Sequence, residues 1–211
     1  VMLKMMVTVV RRAEVSHQEL VRAWEEIHAP HILKLWQPER YKISLFGSAD
    51  RFPHPALDGM AELWFRDEEH LRSALAQVSD DAFGEYADYS KVLWYPVDEY
   101  LNVDGSTSRE TTKLVYFLKR KEGVDRSEFQ QVWLDVHRPN VAAAVKASPR
   151  AQRYTVSLVT SAEELAYDGV AQIWMEGNEP SIADLHLEPD AFSDLIGVLH
   201  GCRSHELSIV D

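Results

Sequence analysis

Cysteine, long apolar runs and positive charge are all scarce in this 211-residue chain. Cys202 is the single cysteine, which excludes an intrachain disulfide and a cysteine-based metal cluster. No apolar run approaches the ~18 residues needed to span a bilayer. The net charge is −12 and both halves are acidic, so we expect no nucleic-acid partner. The composition is that of an ordinary globular protein.

Targeting and cofactor motifs are also lacking. The first four residues lead directly into a strand-like run without the features of a signal peptide, which predicts a cytoplasmic protein with no membrane partner. No GxGxxG, Walker A, G-x-S-x-G or HExxH string occurs, so nucleotide-dependent and serine-hydrolase chemistry have little support. We therefore expect a function that needs no cofactor and no metal.

The sequence does contain an internal repeat with a period of 109 residues. The string W-x-x-x-H-x-P occurs twice, as Trp24, His28 and Pro30 and again as Trp133, His137 and Pro139. A fixed period indicates two copies of one structural unit. We predict a first copy over residues 1–104 and a second copy over 105–211, joined by the polar segment 102–112.

Each copy has the predicted element order β-α-β-β-α-β. In the first copy, a capping box at Ser16 and Glu19 precedes an amphipathic helix that places Trp24 and His28 on one face. The proline two residues after the histidine predicts that this helix ends or bends there. The other segments expected in the first copy are strands 5–10, 41–46, 60–65 and 92–100, a loop 48–57, a helix 68–78 and an irregular stretch 81–90.

This order is typical of the ferredoxin-like plan, whose sheet has helices on one face only. The uncovered apolar face needs a partner, and two units in one chain can cover each other. In the second copy we expect strands 114–118, 154–159 and 205–210 around the same helices. The predicted fold is therefore α+β, with two ferredoxin-like repeats forming an internal α/β barrel.

Two long strings give the chain a family resemblance. The segment LVYFLKRKEGVDRSEFQQVWLDVHRPNV (114–141) with AYDGVAQIW (166–174) resembles the EthD family of dimeric α/β-barrel proteins, and so does VTVVRRAEVSHQELVRAWEEIHAPHI (7–32) with LDGMAELWF (57–65). Most relatives have one copy and pair as homodimers, so this chain resembles a fused pair. Whether the fused pair forms a further homodimer stays open.

The resemblance implies a pocket between sheet and helices into which the helix histidine projects. It also implies a wide range of activities, because fold alone does not select one. These include dehydration, isomerisation, cyclisation or decarboxylation of phenolic and polyketide-like molecules, cofactor-free oxygenation, and haem chemistry.

The histidines of the repeat, His28 and His137, are the first candidates for catalysis. Histidine titrates near neutral pH and is a common general acid or base. The alternative is a core histidine that hydrogen-bonds a backbone carbonyl near a helix end. His31, three residues after His28, can share its face and contact substrate, or join it in a metal site with His54. The second copy has Asn140 at that position, so a metal site is the minority interpretation.

Tyr41 and Tyr154 begin equivalent strands and are the second pair of catalytic candidates. A phenol can pass on a proton or hold a developing oxyanion beside a histidine base. Aromatic residues are also common in strands for packing reasons alone.

The remaining candidates are predicted to bind substrate. Each has a structural alternative: a core aromatic, a turn aspartate before glycine, or a surface salt bridge. They are Trp24, Trp133, Asp58, Asp168, Arg11 and Arg120.

Taken together, these features favour a cofactor-independent lyase- or isomerase-type enzyme that moves protons on a small hydrophobic aromatic or carbonyl compound, in catabolism or secondary metabolism. Two alternatives remain: a ligand-binding accessory protein without chemistry, and a haem-linked barrel protein.

Overall fold

The structure is a computed structural model that describes residues 2–47, 56–77, 81–108 and 110–211. The predicted loop 48–57 lies outside the described residues except for its last two positions. His54 and the predicted helix end at Val78 also lie outside them.

Eight antiparallel strands form a closed barrel in the order β1-β3-β2-β8-β5-β7-β6-β4. This confirms the α+β class and the barrel. The strands are β1 Leu3–Val9, β2 Arg40–Phe46, β3 Gly59–Phe65, β4 Leu93–Val103, β5 Thr112–Arg120, β6 Ala151–Val159, β7 Gly169–Met175 and β8 Ile196–Val210.

The described residues contain five α-helices and two π-helical turns. None of the helices is both long and apolar enough to cross a membrane. They are α1 His17–Ala23, the π turn Trp24–His28, α2 Ala29–Trp36, α3 Glu68–Leu75, α4 Arg126–Val132, the π turn Trp133–His137 and α5 Arg138–Ala147.

The helix was predicted to end or bend at the proline, and in neither copy does it end there. In the first copy, the N–H of Ala29 bonds the carbonyl of Trp24, five residues back, and the chain then continues as α2. Pro30 lacks an N–H, and the wider π turn accommodates a proline that would disrupt a regular helix. Single π turns inside α-helices are frequent at functional sites.

The second copy departs from the predicted order between β7 and β8. Two 3₁₀ turns, Ile182–Leu185 and Ala191–Leu195, replace the expected α-helix. Pro180 and Pro189 flank the first turn and restrict helix propagation. The last strand also begins at Ile196 rather than at residue 205. The glycines in this segment are typical of weak strand signals.

The chain divides into two compact units. The first contains mainly residues up to Pro96 together with Glu206–Asp211, and the second contains mainly Val97–His205. Strands β4 and β8 therefore contribute residues to both units. Each unit has its own apolar core between its strands and its helices.

Candidate active site

The helix that presents His28 is fixed at its start by the predicted capping box. The Ser16 side chain accepts from the Glu19 backbone N–H, and the Glu19 carboxylate accepts from the Ser16 backbone N–H. In the second copy, Asp125 caps the helix by accepting from two backbone N–H groups. Both caps satisfy donors that a helix start leaves free, which fixes where the helix begins.

His28 lies on the π turn and is held on two sides. Its Nδ1 is 2.7 Å from Asp81 Oδ2, and its ring stacks on Phe83 with centroids 4.1 Å apart. The other Asp81 oxygen accepts from the backbone N–H of Phe83, which starts a 3₁₀ turn. Because a carboxylate only accepts, Nδ1 has the hydrogen, and in the neutral ring Nε2 then has the lone pair.

The surroundings of His28 favour the neutral imidazole. Burial lowers its pKa below the ordinary value, Asp81 opposes this through its hydrogen bond and charge, and nearby His31 lowers the pKa further. A neutral ring with a free Nε2 lone pair is the form that accepts a proton.

A cavity of about 260 Å³ adjoins His28. Aliphatic and aromatic side chains line most of it, and His28 and Tyr41 add polar atoms. Two of its lining residues, Tyr89 and Trp94, are 51% and 39% exposed, so the cavity reaches the protein surface there. An apolar cavity with few polar groups is the usual form of a small-molecule site.

The predicted Tyr41 lies in this cavity and is oriented by Trp24. The indole N–H of Trp24 donates to the Tyr41 hydroxyl at 3.3 Å. Burial raises the pKa of Tyr41 well above its ordinary value, so the phenol stays protonated. No described residue accepts from its O–H, which can therefore donate to a bound molecule.

The second copy repeats the histidine–carboxylate pair in different surroundings. His137 Nδ1 is 2.8 Å from Asp190 Oδ2, and the ring stacks on Phe192 at 4.7 Å. The side-chain amide of Asn140 donates to the same Asp190 oxygen and to the Glu188 carbonyl, each at 2.7 Å. The carboxylate is thus shared, whereas Asp81 receives no such second side-chain donor among the described residues.

The tryptophan and tyrosine of the second copy are also buried together. Burial raises the pKa of Tyr154, as it does for Tyr41. The Trp133 side chain interacts with the Tyr154 hydroxyl and lowers its pKa slightly, although burial has the larger effect.

Sequence analysis did not identify Asp81 and Asp190 as partners of the histidines. Each lies 53 residues after its histidine, which is too far for any local pattern. A signal was present, because D-A-F occurs at the same place in both copies and provides both the carboxylate and the stacking ring.

The predicted substrate-binding arginines and aspartates pair with each other instead of lining the cavity. Arg11 Nη1 contacts Asp58 Oδ1 at 2.5 Å, and the Arg11 backbone N–H donates to the other oxygen. Arg120 contacts Asp168 in the same way. These pairs fix the end of the first strand of each copy to the start of a neighbouring strand, which is a structural role.

His31 lies away from the cavity lining and faces a groove between α2 and α3. Its Nε2 is buried without a hydrogen bond from a described residue. Within the described ranges, no group of three or more His, Cys, Asp or Glu side chains could hold a metal ion.

A two-copy α+β barrel with a histidine–carboxylate pair beside an apolar cavity is the architecture of an α/β-barrel protein. The chain belongs to the EthD family: the EthD domain model matches residues 12–88 and 121–194, more than half of the sequence. The two matched segments agree with a tandem duplication in one chain. A comparison with curated proteins found no match.

Solved structures with the same fold have little sequence in common with this chain. An anthrone oxidase-like protein is 11% identical with a TM-score of 0.62, covering 99% of this chain and 94% of its own. A mutant chlorite dismutase from Candidatus Nitrospira defluvii is 10% identical with a TM-score of 0.61, covering 99% and 92%. At such identities the likeness concerns the fold alone.

Proposed function

We propose that the first copy is an enzyme that moves a proton on a small apolar carbonyl or phenolic compound, with His28 as the base. The observation that carries this proposal is the His28 imidazole, held by Asp81 at 2.7 Å and lining an apolar cavity together with Tyr41. A positioned base and a hydrogen-bond donor in an apolar cavity are the elements that enolisation requires.

In the proposed reaction, His28 Nε2 removes a proton from a carbon next to the substrate carbonyl. The Tyr41 O–H donates to the carbonyl oxygen as negative charge develops there, and Asp81 stabilises the imidazolium that forms. The imidazolium then returns the proton. Return to a different carbon is an isomerisation, and transfer to a departing hydroxyl releases water in a dehydration. Neither reaction consumes an oxidant or a cofactor.

The surroundings of the pair favour the first copy as the catalytic one. Asp81 has His28 as its side-chain partner, whereas Asp190 also accepts from Asn140. A second donor on the same oxygen weakens the support that a carboxylate gives to an imidazolium. We therefore assign His137 and Tyr154 a structural role.

Haem fits this cavity poorly. The His28–Asp81 pair would suit a metal ligand, because histidines that bind a metal usually donate their other N–H to a carboxylate or carbonyl. The cavity of about 260 Å³ is nevertheless small. It falls below the ~300–1,000 Å³ of pockets for drug-sized ligands, and haem is larger than such ligands. No step is assigned to haem.

The test follows hydrogen–deuterium exchange at the acidic C–H of small aryl ketones and phenolic ketones in D₂O by NMR. We expect His28→Ala and Asp81→Asn to slow exchange by roughly 10²- to 10⁴-fold, the usual contribution of a general base. The matched variants His137→Ala and Asp190→Asn should keep the wild-type rate. The rate should fall as the pH drops through the lowered pKa of His28, because only the neutral ring accepts a proton.

A folded His28→Ala variant that retains the wild-type exchange rate would refute the proposal. If His28→Ala and His137→Ala lower the exchange rate equally, the assignment of the activity to the first copy is refuted. Ligands that bind the wild-type protein in the cavity without any exchange would identify a ligand-binding accessory protein instead.

A further inference from the structure

The first unit has a second concave site, a groove of about 620 Å³ between α2 and α3. It is distinct from the His28 cavity, although Trp36 borders both. Five of its lining residues are hydrogen-bond donors, and two of these, Lys34 and Arg66, are positively charged; the other three are His31, Gln37 and Gln77. Glu39 adds a carboxylate to the lining, and His70 donates its Nε2 hydrogen to the Trp36 carbonyl.

The donors of this groove are incompletely used by the protein. The buried Nε2 of His31 has no hydrogen-bond partner among the described residues, and Lys34 has no ion-pair partner among them. Within the part of the chain that the structure describes, the Arg66 guanidinium contacts one carboxylate, that of the exposed Asp67, at 3.7 Å. A buried polar atom without a protein partner requires a water, an ion or a ligand.

The second copy supplies an internal comparison. It has a groove of about 600 Å³ next to α5. At the period of 109 residues, His31 and Lys34 correspond to Asn140 and Ala143. Arg66 lies two residues after Trp64, and Glu176 lies two residues after the equivalent Trp174. In this groove, Asn140 is already bonded to Asp190 and to the Glu188 carbonyl.

The equivalents of His31, Lys34 and Arg66 are thus neutral or acidic. Arg150 and His186 line the second groove, but the Arg150 guanidinium is already bonded to Asp184 and to the backbone carbonyls of Glu176 and Asn178. A requirement of the fold would be the same in both copies. The difference therefore points to something that the first groove contacts and the second does not. In a chain of net charge −12, a local group of basic side chains needs a specific reason.

We infer that the groove between α2 and α3 binds the anionic group of a small molecule, a phosphate or a carboxylate. Arg66 and Lys34 provide charge-assisted hydrogen bonds at its rim, and His31 Nε2 provides a donor from its floor. Such bonds to anionic oxygens are shorter and stronger than neutral ones. The groove is larger than a single phosphate group, so a larger ligand can occupy it.

The experiment titrates the whole protein with inorganic phosphate and, separately, with succinate. Calorimetry gives the affinity, and the carbon-bound ring protons of His31 report the location by NMR. Lys34→Ala and Arg66→Glu introduce the residues of the second copy and should each weaken binding about tenfold or more. Lys146→Ala is the control, because it removes an exposed lysine from α5 and changes the net charge as Lys34→Ala does.

Binding of either anion that depends on Lys34 and Arg66 but not on Lys146 would support the inference, and the tighter anion identifies the ligand class. Equal weakening by Lys34→Ala and Lys146→Ala would overturn it, because the anion would then be held by general surface charge. Absence of binding to the wild-type protein would overturn it as well. His28→Ala should leave the affinity unchanged, so this result is independent of the proposed enzyme activity.

Discussion

Replacing Gly59 with alanine should destabilise the first copy by forcing the Trp24 indole and strand β3 apart. A Cβ at this position would lie 2.7 Å from Trp24 Cζ3 and 2.8 Å from the Ser44 carbonyl oxygen, whereas ordinary contacts begin near 3.4 Å. Gly169 has the same environment, with Trp133 Cζ3 at 2.6 Å and the Ser157 carbonyl at 2.8 Å.

Neither neighbour of Gly59 can retreat easily. Trp24 is 1% exposed and donates to Tyr41, and the Ser44 carbonyl belongs to the paired strand β2. Overpacking of this kind costs about 1–3 kcal/mol. The reduced freedom of the unfolded chain offsets ~0.4–1 kcal/mol of that cost. We therefore expect each of Gly59→Ala and Gly169→Ala to lower the free energy of unfolding by about 1–2 kcal/mol.

Gly47→Ala is the matched control, because a Cβ there would meet nothing within 4 Å. Urea unfolding followed by far-UV circular dichroism measures all three variants. Gly47→Ala should match the wild-type midpoint or exceed it slightly. If Gly59→Ala and Gly47→Ala unfold at the same urea concentration, close approach of the indole is not the reason that glycine follows the aspartate in both copies.

Three further substitutions have clear expected outcomes. Asn140→Ala should lower the free energy of unfolding by about 1–3 kcal/mol, measured by thermal unfolding. It removes the hydrogen bonds that the Asn140 amide donates to the Glu188 carbonyl and to Asp190. Glu164→Gln should make the free energy of unfolding depend less on pH in the acid range. Hydrogen bonds from a neighbouring lysine and arginine lower the pKa of Glu164 to about 2. Its stabilising contribution is therefore complete above pH 4.5 and is lost as the pH falls towards 2. Tyr41→Phe should lower the free energy of unfolding by about 0.5–1.5 kcal/mol, because it removes the acceptor of the Trp24 indole N–H; the urea midpoint relative to wild type measures this.

The α+β class and the barrel were predictable from the sequence because the chain provides two copies of most patterns. The capping box at Ser16 and the strands around Tyr41 and Tyr154 follow local rules that hold in the structure. The errors have local causes too. Pro30 acts through a π turn instead of ending the helix, and the glycines Gly197 and Gly201 obscured the early start of β8.

The candidate site was predictable only in part. His28 and Tyr41 were identified because both belong to repeated elements, but their distances depend on how distant segments pack. Asp81 lies 53 residues after His28 in the sequence and 2.7 Å from it in the structure, and no rule of local spacing predicts this contact. Arg11 and Asp58 were interpreted as substrate ligands, although their types and positions suit an ion pair equally well.

Comparison of the copies separates the needs of the fold from those of a ligand. The tryptophan packed on glycine and the arginine–aspartate pair occur in both copies and have a structural explanation in each. The histidine–aspartate pair also occurs in both, so the pair alone does not establish chemistry. The first copy adds a cavity lined by Tyr41 and leaves Asp81 to His28, while the second directs Asn140 to its aspartate. The exchange of His31 for Asn140 changes what the carboxylate contacts, so the duplicated histidine–aspartate pair can have a different role in each copy.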